Sequence, residues 1–252
     1  MTISADLSGA RAFVTGASSS GLGAHFACTL ARAGAEIIVA ARRLTPLQSL
    51  ADKIAEMGGT AHAVVVDVAD AASVAAALDA AGPIDIVVNN AGVERSGPVL
   101  DIGEADYDHV LDVNLKGVWL VATEAARRMR VAGTRGSIIN IASITGHRGM
   151  VGIAPYNISK AGVLHITRQL AWSLARYGIR VNSISPGYFE TDLNRAFLES
   201  EQGEAMRKRI AMQRFGNFDD LDGALLLLAS SASAFMTGSD LVVDGGHLVS
   251  PL

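Results

Sequence analysis

The stretch Ala12-Phe13-Val14-Thr15-Gly16-Ala17-Ser18-Ser19-Ser20-Gly21-Leu22-Gly23 decides the fold. A short, continuously apolar run leads into a turn rich in glycine and serine, and a run of helical character follows. Unbroken apolar character over a few residues marks a strand buried on both faces, as in a parallel sheet covered by helices. Glycines at the end of such a strand permit a tight turn and bring backbone N–H groups and a helix N-terminus up to a phosphate. The spacing is neither G-x-G-x-x-G nor a P-loop, since no Lys-Ser/Thr follows the last glycine. Taken alone, the turn suits a plain connection as well as a pyrophosphate cradle.

The same alternation repeats along the chain. Strands are expected at 12–15, 36–40, 63–67, 84–89, 137–142, 180–184 and 241–243, and helices at 21–33, 45–57, 70–81, 104–131, 155–177 and 219–229. This order implies a doubly wound α/β sheet with right-handed crossovers. Nothing marks an internal boundary, so residues 1–252 read as one domain, with a charged, glycine-interrupted insertion at about 191–217 that has the character of a lid.

Composition narrows the class of protein. Half of the 252 residues are hydrophobic and 18% are charged, which suits one extensive core. A net charge of −4 without a basic cluster argues against nucleic acid as a partner. The single cysteine, Cys28, excludes an intramolecular disulfide, and no metal-ligand spacing is present. Residues 1–6 lack the basic and apolar regions of a signal peptide, and no apolar run approaches the ~20 residues that span a bilayer. A cytoplasmic protein is expected.

In such sheets, ligands bind beyond the carboxyl ends of the strands. The third strand ends at Asp67-Val68, where the carboxylate either caps the next helix or faces a ligand. The fourth ends at Asn89-Asn90-Ala91-Gly92, small and polar enough to lie against a bound ring. Asn114 interrupts a helical run, either facing solvent or kinking the helix toward the cleft. Ser143 ends the fifth strand, and the loop after it can fold back on Tyr156. Tyr156 and Lys160, at i and i+4, share a helix face. There the ammonium would favour the phenolate; lowering a tyrosine pKa by about 2–3 units takes roughly 3–4 kcal/mol of differential interaction. Pro186-Gly187-Tyr188-Phe189-Glu190-Thr191 forms a rigid turn after the sixth strand.

In order and spacing these residues resemble the short-chain dehydrogenase/reductase family, in its branch of ~250 residues and its 3-oxoacyl reductase-like members, from Leu7 to Gly246. The T-G-x-x-x-G-x-G loop corresponds to Thr15 through Gly23, N-N-A-G to Asn89 through Gly92, P-G-x-x-x-T to Pro186, Gly187 and Thr191, and D-G-G to Asp244, Gly245 and Gly246. The resemblance implies a seven-stranded Rossmann-type sheet and a catalytic tetrad of Asn114, Ser143, Tyr156 and Lys160. It also implies cofactor contacts from Gly16, Ser18, Ser19, Ser20, Gly21, Leu22, Arg42, Asp67, Val68, Asn90, Ala91, Gly92, Tyr156, Lys160, Pro186, Gly187, Phe189 and Thr191. Two departures stand out. Four residues, not three, separate Gly16 from Gly21, so one serine must bulge, and Phe189 replaces a smaller aliphatic residue beside the nicotinamide.

The expected function is that of an NADP(H)-dependent oxidoreductase interconverting a ketone and a secondary alcohol, with tyrosine as general acid/base. The alternative is a dinucleotide-binding sensor or structural protein without turnover. NADP(H) is preferred, with NAD(H) possible, because the acidic residue that would accept the NAD ribose is replaced by Ala41 and followed by Arg42, which suits a 2′-phosphate. Glu94, His147, Met150, Ile153, Tyr188, Phe189 and residues 194–212 are expected to border a small carbonyl or alcohol substrate, with 3-oxoacyl thioesters, polyols and steroids all open. A homotetramer is expected from the resemblance and from the apolar residues of the two long helices, Trp119 and Trp172 among them.

Overall fold

Seven parallel strands lie in the order β3-β2-β1-β4-β5-β6-β7 in the computed structural model, which describes residues 5–18, 21–190 and 198–250. They are β1 Arg11–Thr15, β2 Glu36–Ala41, β3 Thr60–Val65, β4 Ile86–Asn89, β5 Ser137–Ile141, β6 Arg180–Pro186 and β7 Asp240–Val243. Between them run α1 Leu22–Arg32, α2 Leu44–Glu56, α3 Ala71–Ala81, α4 Glu104–Leu111, α5 Gly117–Ala132, α6 Ala154–Leu174, α7 Glu201–Arg207 and α8 Asp222–Ala229. The order reverses between β1 and β4, which pair at Phe13↔Val87, and a crevice opens at such a point.

Two apolar layers sandwich the sheet. Ala12 and Val14 point into one, with Phe26 and Leu30 of α1, Leu47 and Ile54 of α2, and Leu225 and Leu228 of α8. Phe13, between them in sequence, points into the other, with Leu78 of α3, Val121 and Met129 of α5, and Leu170 of α6. Burial on both faces is why the central strands read as continuously apolar.

The structure moves some expected boundaries. The third strand is Thr60–Val65 rather than 63–67, because it pairs at the sheet edge from Thr60↔Glu36 to Val65↔Ala41. Its burial alternates, so its polar first half gave no apolar signal. The single helix expected at 104–131 is three segments, with a π-helical turn over Asp112–Lys116 between α4 and α5. The irregular stretch contains α7, capped by Ser200, with Leu198 and Ile210 buried. Its far end returns to the sheet, where Gly216 bridges to Phe189. The first part of that stretch, 191–197, lies outside the described residues. No helix among the described residues is long and apolar enough to cross a membrane.

Candidate active site

The glycine turn is stitched to the end of β4. Oγ1 of Thr15 accepts from the N–H groups of Asn90 and Ala91 at 3.0 and 3.1 Å. Nδ2 of Asn90 donates to the carbonyls of Thr15 and Gly16 at 3.0 and 3.2 Å. Gly16 has φ +69°, and a Cβ there would lie 2.7 Å from Cα of Ala91. At Gly23 a Cβ would collide with the carbonyl of Gly16 and with Nδ2 of Asn90. Both glycines are therefore demanded by close backbone approach, and Asn90 acts first as a clamp on the loop.

A cavity of about 260 Å³ opens above this junction, lined by Gly16, Ser18, Ala41, Arg42, Arg43, Asp67, Val68, Asn90, Ala91 and Gly92 among others. Asp67 is not the helix cap. Asp70 caps α3 by accepting from the Ala72 N–H, while the Asp67 carboxylate accepts from the Ala69 N–H at 3.0 Å. Arg43 is a lining residue that sequence reasoning passed over, although its place beside Arg42 was a signal. Gly21 is the N-cap residue of α1, with nothing among the described residues within 4 Å of where its Cβ would be. Ser19, Ser20 and Thr191 lie outside the described residues.

Next to it a second cavity of about 400 Å³ is lined by Leu22, Asn90, Gly92, Glu94, Ser143, Thr145, Met150, Ile153, Tyr156, Lys160, Pro186, Gly187, Tyr188 and Phe189, with a few more apolar residues. Asn90 and Gly92 line both cavities, so together they form a trough along the carboxyl ends of the strands. Gly187 is pressed against Asp244, where a Cβ would lie 2.7 Å from the aspartate Cβ, so the Asp244-Gly245-Gly246 turn seats the turn after β6.

The four residues expected to act together do converge. Ser143 and Tyr156 line the same cleft, close enough for the serine hydroxyl to favour the phenolate, while Oγ of Ser143 accepts from the N–H and Oγ1 of Thr145, both at 3.1 Å. The Lys160 ammonium is buried, donates to the carbonyl of Ile141 at 2.7 Å and lies 5.5 Å from the centre of the Tyr156 ring. Asn114 is fully buried inside the π-helical turn. Its Oδ1 accepts from the Val93 N–H, and its Nδ2 donates to the Val93 carbonyl, both at 2.8 Å, and to Oγ of Ser159 at 3.1 Å. The solvent-facing reading fails: the amide is buried within a π-helical turn and bound to the strip that follows β4.

Electrostatics correct one expectation. Loss of water pushes the Tyr156 phenol up to about 12, a rise that Glu94 reinforces and the Ser143 hydrogen bond opposes. Lys160, expected to lower that value, is itself brought down to about 8 by burial. Desolvation, which disfavours both charged forms, outweighs the attraction between the two groups. His147 is a second correction. It does not line the cleft; its Nε2 pairs with Oδ2 of Asp240 at 2.8 Å and ties the loop after β5 to β7.

A Rossmann-type sheet bearing a Ser-Tyr-Lys cleft defines the class of protein. The family model described as Enoyl-(Acyl carrier protein) reductase matches residues 16–247. The gluconate 5-dehydrogenase of Gluconobacter oxydans is 38% identical, over 97% of this chain and 96% of its own length. The L-rhamnose 1-dehydrogenase (NAD(P)(+)) of Azotobacter vinelandii is 39% identical, over 94% and 95%. A solved structure of a gluconate 5-dehydrogenase from Burkholderia cenocepacia, in complex with NADP and tartrate, is 40% identical and superposes with a TM-score of 0.93 over 97% of each chain. The chain belongs to the short-chain dehydrogenase/reductase family.

Proposed function

We propose that this protein is an NADP(H)-dependent oxidoreductase that interconverts a secondary alcohol and a ketone on a small polyhydroxylated substrate, with sugar acids foremost. The observation that carries the reading is the convergence of Ser143, Tyr156 and Lys160 in one cleft, continuous with a cavity that holds Arg42 and Arg43. The residues present fit a dinucleotide: small residues line the junction of the two cavities, and a Cβ at Gly92 would lie 3.8 Å from Nζ of Lys160. Relatives named for gluconate and L-rhamnose, and a neighbour holding NADP and tartrate, support the substrate class.

Bound NADPH would supply the hydride. Tyr156, a neutral phenol at neutral pH, donates its proton to the carbonyl oxygen, and Ser143 orients that oxygen by a second hydrogen bond. Lys160 would hold the nicotinamide ribose and, still mostly charged at pH 7, stabilises the phenolate left after proton transfer. Asn114 holds the strip at Val93 and keeps the π turn open on the lysine side. Gly21, Leu22 and Ser18 at the glycine turn would hold the pyrophosphate and adenosine ribose, and Pro186, Gly187 and Phe189 would hold the nicotinamide.

The test follows nicotinamide absorbance with both cofactors over keto-aldonates, aldonates and polyols, for the unmodified protein and for Tyr156→Phe. The expected result is turnover with sugar acids that falls by several orders of magnitude in the variant, while NADPH binding is retained. A variant with near-normal rates, or no turnover with any of these substrates, overturns the reading.

A further inference from the structure

Ser143 follows β5 as the N-cap of a short 3₁₀ turn over Ile144–Gly146. Its Oγ accepts from the Thr145 N–H and from the Thr145 hydroxyl, both at 3.1 Å. That hydroxyl has no other partner among the described residues. A serine hydroxyl carries one proton and two lone pairs. With both lone pairs met by Thr145, the Ser143 proton is left to point away from the turn, into the cleft that Ser143, Thr145 and Tyr156 line together.

The turn that presents Thr145 is itself fixed. The Gly146 N–H donates to the Ser143 carbonyl at 3.0 Å, and the His147 and Arg148 N–H groups donate to the Ile144 carbonyl at 3.0 and 3.1 Å. A Cβ at Gly146 would lie 2.8 Å from the carbonyl of Lys160, so the turn is seated directly on the backbone of α6. Serine, threonine and the helix that bears Tyr156 and Lys160 are thus one packed unit.

We infer that Thr145 is a positioning residue, which holds the Ser143 hydroxyl as a donor toward the substrate oxygen and the Tyr156 phenolate. Donation into Oγ also polarises the O–H bond, so the hydrogen bond that Ser143 gives is the stronger for the two it receives. In reduction that bond strengthens as charge gathers on the carbonyl oxygen; in oxidation it favours the phenolate that takes the alcohol proton. This inference rests on the alcohol–ketone reading above and adds the group that aims the serine.

The test follows turnover across pH with NADP⁺ and the fastest alcohol of the screen above. It compares the unmodified protein, Thr145→Val, Thr145→Ser, and Ser143→Ala with and without Thr145→Val. Valine keeps the shape and the backbone N–H and removes only the hydroxyl. It should lower kcat about tenfold at nearly constant KM and move the pH midpoint of oxidation upward, as a phenolate that has lost support requires. Serine should restore both. In the Ser143→Ala protein the valine should cost nothing further, since its target is gone. The Tyr156 titration in the NADP⁺ complex, read by NMR of tyrosine labelled at the ring carbon that bears oxygen, gives the same comparison without turnover. A raised KM at unchanged kcat makes Thr145 a substrate contact and overturns the inference, as does an equal loss in the Ser143→Ala background. If no alcohol is turned over, the functional reading falls; the titration then decides the positioning role, which an upward move with valine supports and an unchanged midpoint overturns.

Discussion

The ammonium of Lys160 lies 5.5 Å from the centre of the Tyr156 ring yet spends its hydrogen bond on the carbonyl of Ile141, so two groups that would stabilise each other's charge share a site in which burial disfavours both. This relationship sets the pH behaviour of the protein. The folded-state pKa of Lys160 is depressed from 10.5 to about 8, so the folded form carries a penalty that is fully present below pH 8 and disappears as pH rises toward 10.5. The shift corresponds to roughly 3 kcal/mol. Tyr156 acts with the opposite sign: its raised value adds stability that is present below pH 10 and is lost as pH rises toward 12. Lys160→Met should therefore abolish turnover and yet stabilise the fold at pH 7 by about 2 kcal/mol, after allowing for the orphaned Ile141 carbonyl. Urea unfolding at pH 7 and pH 10 checks this, and a gain that is absent at pH 7 would count against it.

The glycine turn contains one glycine demanded by the protein itself and one that is not. Gly23→Ala should destabilise the free protein by about 3 kcal/mol, because the new methyl meets the Gly16 carbonyl and the Asn90 amide. Gly21→Ala meets none of the described residues at its Cβ and has an extended φ of −121°, and should change stability by less than about 0.5 kcal/mol while weakening NADPH binding. Thermal melts paired with cofactor titrations separate the two effects.

Cofactor choice should follow the charge at the end of β2. Ala41, Arg42 and Arg43 line the smaller cavity, and neither guanidinium has an ion-pair partner among the described residues. The unmodified protein should favour NADP(H), and Ala41→Asp combined with Arg42→Ala should reverse the preference, since a carboxylate there accepts from the ribose hydroxyls and repels a 2′-phosphate. Comparison of kcat/KM for the two cofactors decides it.

The insertion after β6 should tighten when ligands bind. Its far end is fastened by the Phe189–Gly216 bridge and by buried Ile210, while Glu201, Gln202 and Ala205 of α7 are exposed. Hydrogen exchange over residues 201–209 should slow with cofactor and substrate together, as expected of a closing lid. Equal protection in the free protein would rule out closure.

Assembly is the remaining expectation from the sequence. Of the apolar residues on the long helices, Leu164 and Leu170 are core, but Trp172 is 86% exposed and Trp119 44%. Indole surface of that extent favours a covered state. Light scattering at micromolar concentration should give a tetramer mass, and Trp172→Glu should lower it.

The strand order, the sheet class and the shared helix face of Tyr156 and Lys160 were legible in the sequence, because each depends on residues within a turn or two of one another: apolar runs, glycines, and the i, i+4 spacing; Ser143, far from Tyr156 in sequence, was reached through the family resemblance. Local signals failed where partners are distant. The early start of β3 depends on its pairing with β2. The π turn at Asn114 depends on Val93, and the role of His147 on Asp240. Burial is likewise a property of the assembled layers, so the sequence alone placed a cation beside a phenol. Only the tertiary structure, by removing water from both, decided which way their proton affinities move.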